Sequence, residues 1–290
     1  MTLYYLLGKI SKDAKERIRY FPKQKTVKVN NSYKMRLNPR EEGIDRDLFI
    51  YRKREPFATD FLIKSGILNQ EVNTLEAGAN IGYYALLEWS LVKPSGTVYA
   101  AEPVTKNFKN LLYNIKLNKP NKIMTFKIAF GEKEGKAPIY LSKLPNWCTL
   151  NRENIQHQIG TETVEVTTID KFCKNKPKID FIRMDVEGYE YEIIKGATET
   201  LKTNIKIQME VHPLSIKNLE DFLDILKQNN FYIKYTVFEY TVPYNHLTYS
   251  AFKKTGSPYP LQFYNIRISQ FRELMEKNPA YCPNVFLFKK

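Results

Sequence analysis

The chain has 290 residues, 43% of them hydrophobic and 26% charged, a globular composition that excludes an intrinsically disordered chain. Lysine and arginine number 45 against 31 aspartates and glutamates. The resulting net charge of +14 favours acidic partners such as nucleic acid, phosphorylated sugars or anionic lipids, or simply keeps the surface soluble.

Residues 1–70 mix charged and apolar residues without strong periodicity, and we interpret them as an N-terminal cap of a helix and short strands. From residue 72 strands and helices alternate. "VNTLEAG" predicts a strand and "IGYYALLEWSLV" a helix, "TVYAAEP" a second strand and "NFKNLLYNIKLN" a second helix. In that helix the spacing predicts one apolar face formed by Phe108, Leu111, Leu112 and Ile115.

The second half of the chain continues this alternation with one addition and one interruption. "IMTFKIAFG" predicts a third strand, "APIYLS" and "TVEVTTI" an added hairpin, and "IDFIRMDVEG" and "IKIQMEV" two more strands separated by a helix. The tyrosine- and proline-rich segment 239–283 breaks the pattern before a last strand, "NVFLF". We interpret that segment as an insertion on the substrate (acceptor) side of a binding site, although a segment packed on the surface explains it equally well.

Alternating strands and helices predict a doubly wound α/β sheet, with ligands bound outside the carboxyl ends of its strands. Polar residues occur at or just beyond these predicted strand ends: Glu76, Glu102, Asp185, Glu187, Glu210 and His212. A single strand-end acid is more often a cap or turn residue. Six such residues together predict a functional site at this edge.

The stretch "LEAGANIG" places Gly78 and Gly82 where the first strand meets its helix, and Glu102 ends the next strand. Glycine permits unusual backbone torsion and close approach of a ligand, and a strand-end acid can accept hydrogen bonds from both ribose hydroxyls of a nucleoside. The spacing is not the GxGxxG of pyrophosphate-binding enzymes. S-adenosylmethionine (SAM) carries a ribose and no phosphate, so the pattern favours SAM as the cofactor.

Several motifs resemble, in order, those of the FkbM-type family of class I SAM-dependent methyltransferases: "EAGANIGYYALL", "AAEPVTKNFKNLLYNIKLN", "IAFGEKEGK", "TTIDKFC", "IDFIRMDVEGYEYEIIKGA" and "MEVH". The resemblance runs from about residue 42 to 238. It implies a Rossmann-like, seven-stranded sheet whose last strand is antiparallel. It also implies methylation of a hydroxyl, often on a sugar or polyketide.

Transferred position by position, the resemblance implies that Gly78, Asn80 and Gly82 line the methionine part of SAM, that Glu102 holds the ribose, and that Ala129 lies near the adenine. The "REPFAT" segment resembles a Glu-Pro stretch of the family and implies that Glu55 closes over the cofactor. Glu76 stands where the family usually has aspartate, so its carboxylate is shifted by one methylene.

An alcohol acceptor must lose its proton, and the sequence offers Asp185, Glu187, Glu210 and His212 as candidate catalytic groups. Imidazole titrates near neutrality, so His212 is the obvious base, although a lone histidine after a strand is as often structural. Asp185 can act as the base, orient His212 or help to bind a cation. The spacing is not diagnostic of a metal, and none is predicted.

The leading hypothesis is a SAM-dependent O-methyltransferase acting on a carbohydrate or another small hydroxylated metabolite. The alternatives are an RNA methyltransferase, favoured by the basic charge, and a binding protein that has lost the chemistry. We expect a cap at 1–70 and a methyltransferase domain at 71–290. Three widely spaced cysteines favour a reducing cytoplasm, and no apolar run suggests a membrane span.

Overall fold

The computed structural model describes residues 20–69, 71–155, 157–239 and 262–290. Its strands are β1 (Lys25–Val29), β2 (Tyr33–Leu37), β3 (Thr74–Ala77), β4 (Val98–Ala101), β5 (Ile123–Phe126), β6 (Ala129–Phe130), β7 (Gly135–Ser142), β8 (Gln158–Thr167), β9 (Phe181–Met184), β10 (Lys206–Glu210), β11 (Phe231–Val237), β12 (Gln262–Ile266) and β13 (Asn284–Lys289). Its α-helices are α1 (Ile44–Tyr51), α2 (Pro56–Lys64), α3 (Tyr83–Leu91), α4 (Thr105–Asn118), α5 (Ile169–Cys173), α6 (Glu190–Lys195), α7 (Leu219–Gln228) and α8 (Ile268–Lys277).

Among the described residues the main sheet has eight strands in the order β12-β11-β13-β10-β9-β3-β4-β5. The pairs from β10 through β5 are parallel, whereas β13 runs antiparallel to both β10 and β11. This confirms the doubly wound sheet with an antiparallel last strand. Strand β12, from the segment that breaks the alternation, adds an eighth strand at the edge, which the sequence did not indicate.

The strand order reverses between β3 and β9, which are parallel neighbours. From β3 the chain winds outward through α3, β4 and α4 to β5, and from β9 it winds the other way through α6 to β10. In such sheets the crevice for a ligand opens at this switch point, outside the carboxyl ends of the strands. Those ends carry the polar residues that the sequence singled out.

Helix α4 packs on the sheet through a face that differs from the predicted one. Phe108, Leu111 and Ile115 pack in an apolar cluster, but Leu112 is 43% exposed. Two buried asparagines, Asn107 and Asn114, lie on the inner face instead. Their side-chain amides donate to the backbone carbonyls of Pro145 and Ile81, so polar bonds set the rotation of the helix together with apolar burial.

Two hairpins lie outside the main sheet. Strands β1 and β2 pair with Val29 opposite Tyr33, and in the three-residue turn between them Asn30 and Asn31 both have positive φ, which asparagine adopts more readily than most residues. Strands β7 and β8 form the predicted added hairpin, and β6 joins β8 to complete a three-stranded sheet. The loop between β7 and β8, residues 143–157, extends to the carboxyl edge of the main sheet.

The proposed division into a cap at 1–70 and a methyltransferase domain at 71–290 stays a prediction. Within the described part of the cap the chain forms β1, β2, α1 and α2, while residues 1–19 lie outside the described residues. The predicted insertion 239–283 also lies partly outside them, at 240–261; its remainder contains β12 and α8. No helix in the described ranges is long and apolar enough to cross a membrane.

Candidate active site

The turn after β3 has the backbone conformation that its small residues suggested. Gly78 and Gly82 have φ of 87° and 95°, and Asn80 between them has φ of 48°. A Cβ at Gly78 would lie 2.4 Å from the backbone oxygen of Asp185, and one at Gly82 would lie 2.8 Å from Leu111 Cδ1. Both glycines are therefore required by close packing within the protein, as well as by torsion.

A cleft of about 570 Å³ opens at the carboxyl ends of β3, β4 and β9, and we call it the strand-end cleft. Its apolar lining includes Val104, Ile128, Ala129, Phe130 and Ile139. Its polar lining includes Asn80, Glu102, Asn146, Asp185 and Glu187. A cleft with a largely apolar lining and a few polar groups suits a ligand that carries a flat ring and a polar tail.

Glu102 lies at the centre of this cleft with 4% exposure. Its Oε2 accepts a hydrogen bond from the Asn80 backbone N–H and its Oε1 from that of Val104, both at 2.9 Å. Burial raises the pKa of Glu102 to about 7, although these donors and Asn107 act to lower it. Each carboxylate oxygen retains a lone pair for a further donor, as a vicinal diol requires.

If Glu102 holds the ribose of SAM, as the family resemblance implies, we expect the affinity for SAM to rise with pH between about pH 6 and 8, because hydroxyl groups donate to the ionised form of Glu102, whose pKa is raised to about 7. Glu102→Gln should weaken binding by about 10- to 150-fold, since a hydrogen bond to a charged group contributes about 1.5–3 kcal/mol. Calorimetry across this pH range measures both effects.

The control for this prediction is Glu162→Gln, which removes a half-buried carboxylate outside the cleft lining that also acts on Glu102. That variant should keep the pH dependence of binding. Equal affinity of the wild-type protein for SAM throughout the pH range would contradict the role assigned to Glu102.

Beside the strand-end cleft lies a smaller space of about 360 Å³, which we call the arginine cavity because Arg54 and Arg183 line it. It shares Gly78, Asn80, Asn146 and Asp185 with the strand-end cleft. Tyr83 and Tyr84 also line it, and both are buried, so packing as well as exposure to the cavity explains them.

Arg183 is a buried cation that holds three carboxylates. Its Nη1 donates to Glu76 Oε1 at 2.7 Å, and its Nη2 lies 3.4 Å from Glu55 Oε2 and from Asp185 Oδ2. Its guanidinium carbon lies 3.4 Å from the centre of the Tyr84 ring. Glu76 and Arg183 are register partners on β3 and β9, so the sheet itself brings the central ion pair together.

Glu76 also contacts a second buried acid, Glu88 of α3, which accepts a hydrogen bond from Thr74 Oγ1 at 2.5 Å. Burial raises the pKa of both carboxyl groups, and Arg183 acts against that rise. Two carboxyl groups in contact cannot both ionise without a large cost.

A third and larger cleft, of about 1820 Å³, opens on the other side of Glu187; we call it the histidine cleft. Its lining includes His212, Glu210, Trp147 and Tyr281, and it shares Asn146 and Glu187 with the strand-end cleft. His212 Nδ1 lies 2.9 Å from Glu190 Oε1, and Nε2 lies 3.5 Å from Glu187 Oε2. The histidine therefore lies next to Glu187, which lines both clefts.

The charges around His212 differ from those of isolated side chains. Burial lowers the pKa of His212, but Glu190, Glu187 and Glu210 outweigh it and raise that pKa well above its usual range. Burial also raises the pKa of Glu187 and Glu210. Asp185 differs because Arg183, Arg54 and His212 outweigh burial and lower its pKa, so it stays ionised.

Ligand atoms of Asp185, Glu187 and His212 lie within 4.8 Å of one another, as do those of Glu55, Asp185 and Glu210. This spacing is compatible with a divalent cation. Asp185 is already paired with Arg183, however, and His212 lies between two carboxylates. Protein cations thus already balance much of this negative charge, and we assign no metal here.

The structure brings most of the predicted residues together in two adjoining clefts. The strand-end cleft is lined by Gly78, Asn80, Glu102, Ala129, Asp185 and Glu187, and the histidine cleft by Glu187, Glu210 and His212. Glu76 lines the arginine cavity. Gly82 and Glu55 lie outside the linings that the described residues form: Gly82 packs against Leu111, and Glu55 accepts from Tyr84 Oη at 2.7 Å behind Arg183. The sequence reasoning did not single out Arg183, Glu190 or Asn146.

The sequence model of the Methyltransferase FkbM domain matches residues 76–233, more than half of the chain. The chain belongs to the FkbM methyltransferase family. The matched range begins in β3 and ends in β11, so it contains the glycine turn, Glu102, Asp185 and His212. Family membership and the sheet order confirm the predicted class I fold, and with it SAM as the cofactor of this FkbM methyltransferase.

Among curated proteins, the hexuronic acid methyltransferase AglP of Haloferax volcanii is 25% identical over 142 residues, which cover 47% of this chain and 54% of AglP. The match thus spans about half the length of that relative. Similar solved structures include TYW2 of P. horikoshii in complex with MeSAdo, at 13% identity and a TM-score of 0.47, covering 93% of this chain and 73% of that one. They also include a SAM-dependent O-methyltransferase from Thermotoga maritima, at 13% identity and a TM-score of 0.43, covering 95% and 81%.

The residues of the site fit SAM. Asn80 Oδ1 and Asp185 Oδ1 are buried acceptors without a hydrogen-bond partner among the described residues, and both belong to residues that line the strand-end cleft and the arginine cavity. Buried acceptors of this kind need a donor, and an ammonium group supplies three. Such donors are present at the amino-acid end of the cofactor, while Glu102 suits its ribose.

Proposed function

We propose that this FkbM methyltransferase transfers the methyl group of SAM to a hydroxyl group of a carbohydrate or of a similar small hydroxylated metabolite. The observation that carries the proposal is the shared wall at Glu187. The strand-end cleft, whose lining suits an adenosine, lies on one side of Glu187, and the larger histidine cleft, lined by His212, lies on the other. A base in this place suits an acceptor that has to lose a proton.

The cofactor would be held by residues already described. Glu102 would accept the ribose hydroxyls, Ala129 and its apolar neighbours would contact the adenine, and Asn80 and Asp185 would accept from the ammonium group. Arg54 and Arg183, which line the arginine cavity, would suit the carboxylate at the amino-acid end of SAM. When bound, SAM supplies an electrophilic methyl group on a sulfonium centre.

The chain's own contribution to the chemistry is position and proton transfer. The two clefts would hold the acceptor oxygen and the methyl carbon in line, the main requirement of a displacement reaction. In its neutral form, which the raised pKa confines to pH above the usual histidine range, His212 Nε2 would accept the hydroxyl proton, and Glu187 and Glu190 would stabilise the resulting imidazolium. Asp185, which stays ionised, and Glu210, whose pKa burial raises, complete the predicted catalytic set beside His212.

The residues that line the histidine cleft favour a sugar over RNA as the methyl acceptor. Asp47, Glu153, Glu187 and Glu210 line it beside Arg54, and their carboxyl oxygens can accept hydrogen bonds from several hydroxyl groups of one sugar. Trp147 and Tyr281 offer aromatic faces for a sugar ring. The name of the relative AglP, a hexuronic acid methyltransferase, points to the same acceptor class.

The test is methyl transfer from labelled SAM to three parallel panels of acceptors: neutral sugars and glycans, uronic acids, and total RNA. We expect label in a sugar panel, with a product heavier by one CH₂ and stable to mild base, as an ether is and a methyl ester is not. Incorporation into RNA alone would overturn the proposal in favour of an RNA methyltransferase.

A further inference from the structure

Glu190, the first residue of α6, is fully buried and lies directly behind His212. Its Oε1 accepts a hydrogen bond from the Gly188 backbone N–H at 3.1 Å and lies 2.9 Å from His212 Nδ1. An ionised carboxylate only accepts hydrogen bonds, so Nδ1 carries the proton when this contact is made by the Glu190 carboxylate. The other ring nitrogen, Nε2, is then the one beside Glu187 in the lining of the histidine cleft.

The loop that carries Glu190 is held in place on both sides. Glu187 and Gly188 have positive φ, and a Cβ at Gly188 would lie 2.4 Å from Asn154 Nδ2 and from Ser215 Cβ. Thr149 Oγ1 donates to the Glu187 carbonyl at 2.9 Å. The loop before α6 is therefore well held, and its Gly188 backbone N–H gives the Glu190 carboxylate a contact in addition to His212.

A fully buried carboxylate is costly unless it is paired with a cation or with strong donors. Among the residues that the structure describes, His212 is the only charged group within ion-pair distance of Glu190. A structural role alone would be met more cheaply by an uncharged residue of similar size at this position. The arrangement corresponds to a histidine base that is oriented from behind by a buried acid.

We propose that Glu190 is a positioning residue that fixes the tautomer and the orientation of His212, so that Nε2 is directed to the acceptor hydroxyl in the histidine cleft. The role of His212 as the base rests on the proposed function, whereas the coupling between Glu190 and His212 does not. Glu190 itself lies outside the linings of the three spaces described above.

Several titratable groups face His212, and the effect of Glu190 has to be separated from theirs. Glu187 and Asp185 lie on the loop after β9, Glu210 ends β10, and Cys282 precedes β13. All four remain when Glu190 becomes glutamine. An acid–base pair in contact shifts a pKa by about 1–3 units, so Glu190→Gln should lower the pKa of His212 by at least about one unit.

The first measurement is an NMR pH titration of the imidazole nitrogens in the full-length protein, without cofactor or acceptor. The chain has three histidines, so the signals of His212 are identified by their loss in His212→Gln. In the wild-type protein we expect the neutral ring to carry its proton on Nδ1. In Glu190→Gln the tautomer should persist, because the amide oxygen still accepts, while the pKa falls.

The second measurement is the pH profile of kcat with an acceptor identified as above. Deprotonation of His212 produces the rising limb, and in Glu190→Gln this limb should move to lower pH by the same interval as the NMR titration. Glu190→Ala, which removes the acceptor, should lower kcat by about 100-fold without a matching rise in the KM for SAM.

Glu192→Gln is the matched control, because Glu192 lies on the same helix, is half-buried and lines none of the three spaces. In Glu192→Gln, the NMR titration of His212 and the pH profile of kcat should both coincide with those of the wild-type protein. An unchanged His212 titration in a folded Glu190→Gln variant overturns the proposal, whatever the acceptor. Failure of the wild-type protein to methylate any hydroxyl acceptor is a separate result, and it overturns the proposed function.

Discussion

His212→Gln is expected to lower kcat by about 10²–10⁴-fold, the usual contribution of a positioned general base. The Kd for SAM should change little, because His212 lines the histidine cleft and not the strand-end cleft. Initial-rate kinetics with the identified acceptor, together with calorimetry of SAM binding, measure the two quantities separately.

Asp185→Asn provides the comparison for His212→Gln. Asp185 lines both the strand-end cleft and the arginine cavity, so its loss should weaken SAM binding as well as turnover. If His212→Gln weakens SAM binding as strongly as Asp185→Asn does, His212 belongs to the cofactor site instead. If His212→Gln retains full turnover, another of the four candidate groups is the base.

Arg183→Met is expected to lower the free energy of unfolding by about 3–5 kcal/mol, the usual cost of leaving a buried ionic partner unpaired. The substitution leaves Glu76, Glu55 and Asp185 without their shared cation. Urea unfolding at constant pH measures the loss. In the wild-type protein the Arg183 guanidinium also stacks on the Tyr84 ring, so the substitution removes a packing contact together with the charge.

The pH dependence of this loss follows from the sign of the pKa changes. Without Arg183, Glu76 loses the cation that lowers its pKa and keeps the burial that raises it, so the variant is most stable at low pH and loses stability as pH rises. The deficit should therefore be larger at about pH 8 than at about pH 5. Arg272→Met is the control, because Arg272 pairs with Glu220 and Asp224 at the surface and should cost only about 0–1 kcal/mol. Equal losses in the two variants would contradict the role of Arg183.

The sequence predicted the site best where a residue follows a strand. Parallel strands end at a common edge, so Glu102, Asp185 and His212 could be expected to lie together from their places in the chain alone. Arg183 was missed because it lies inside a strand, where period and composition suggest only burial. A charged residue in an apolar strand is itself a signal, since such residues are almost never buried unpaired. Its partner Glu76, however, follows only from the register of β3 and β9.

Two other differences have similar causes. Glu190 begins a helix, where an acid is ordinary because it suits the helix dipole, and nothing local shows that it contacts His212. The prediction that Leu112 is buried with Leu111 followed from apolar spacing. In the structure the amide bonds of Asn107 and Asn114 place those asparagines on the inner face of α4. Spacing alone cannot rank such polar contacts against apolar burial.

The loop at 143–157 has a consequence for how this enzyme can diversify. Pro145 and Cys148 line the strand-end cleft, Trp147 and Asn154 line the histidine cleft, and Asn146 lines both. Under the proposed function, a substitution of Asn146 would alter the affinities for the methyl donor and for the acceptor at once, a form of built-in epistasis. Laboratory evolution towards new acceptors should instead accumulate changes at Leu214 and Tyr281, which line the histidine cleft and not the strand-end cleft. Substitutions there can change the selectivity for the acceptor without loss of binding of the methyl donor.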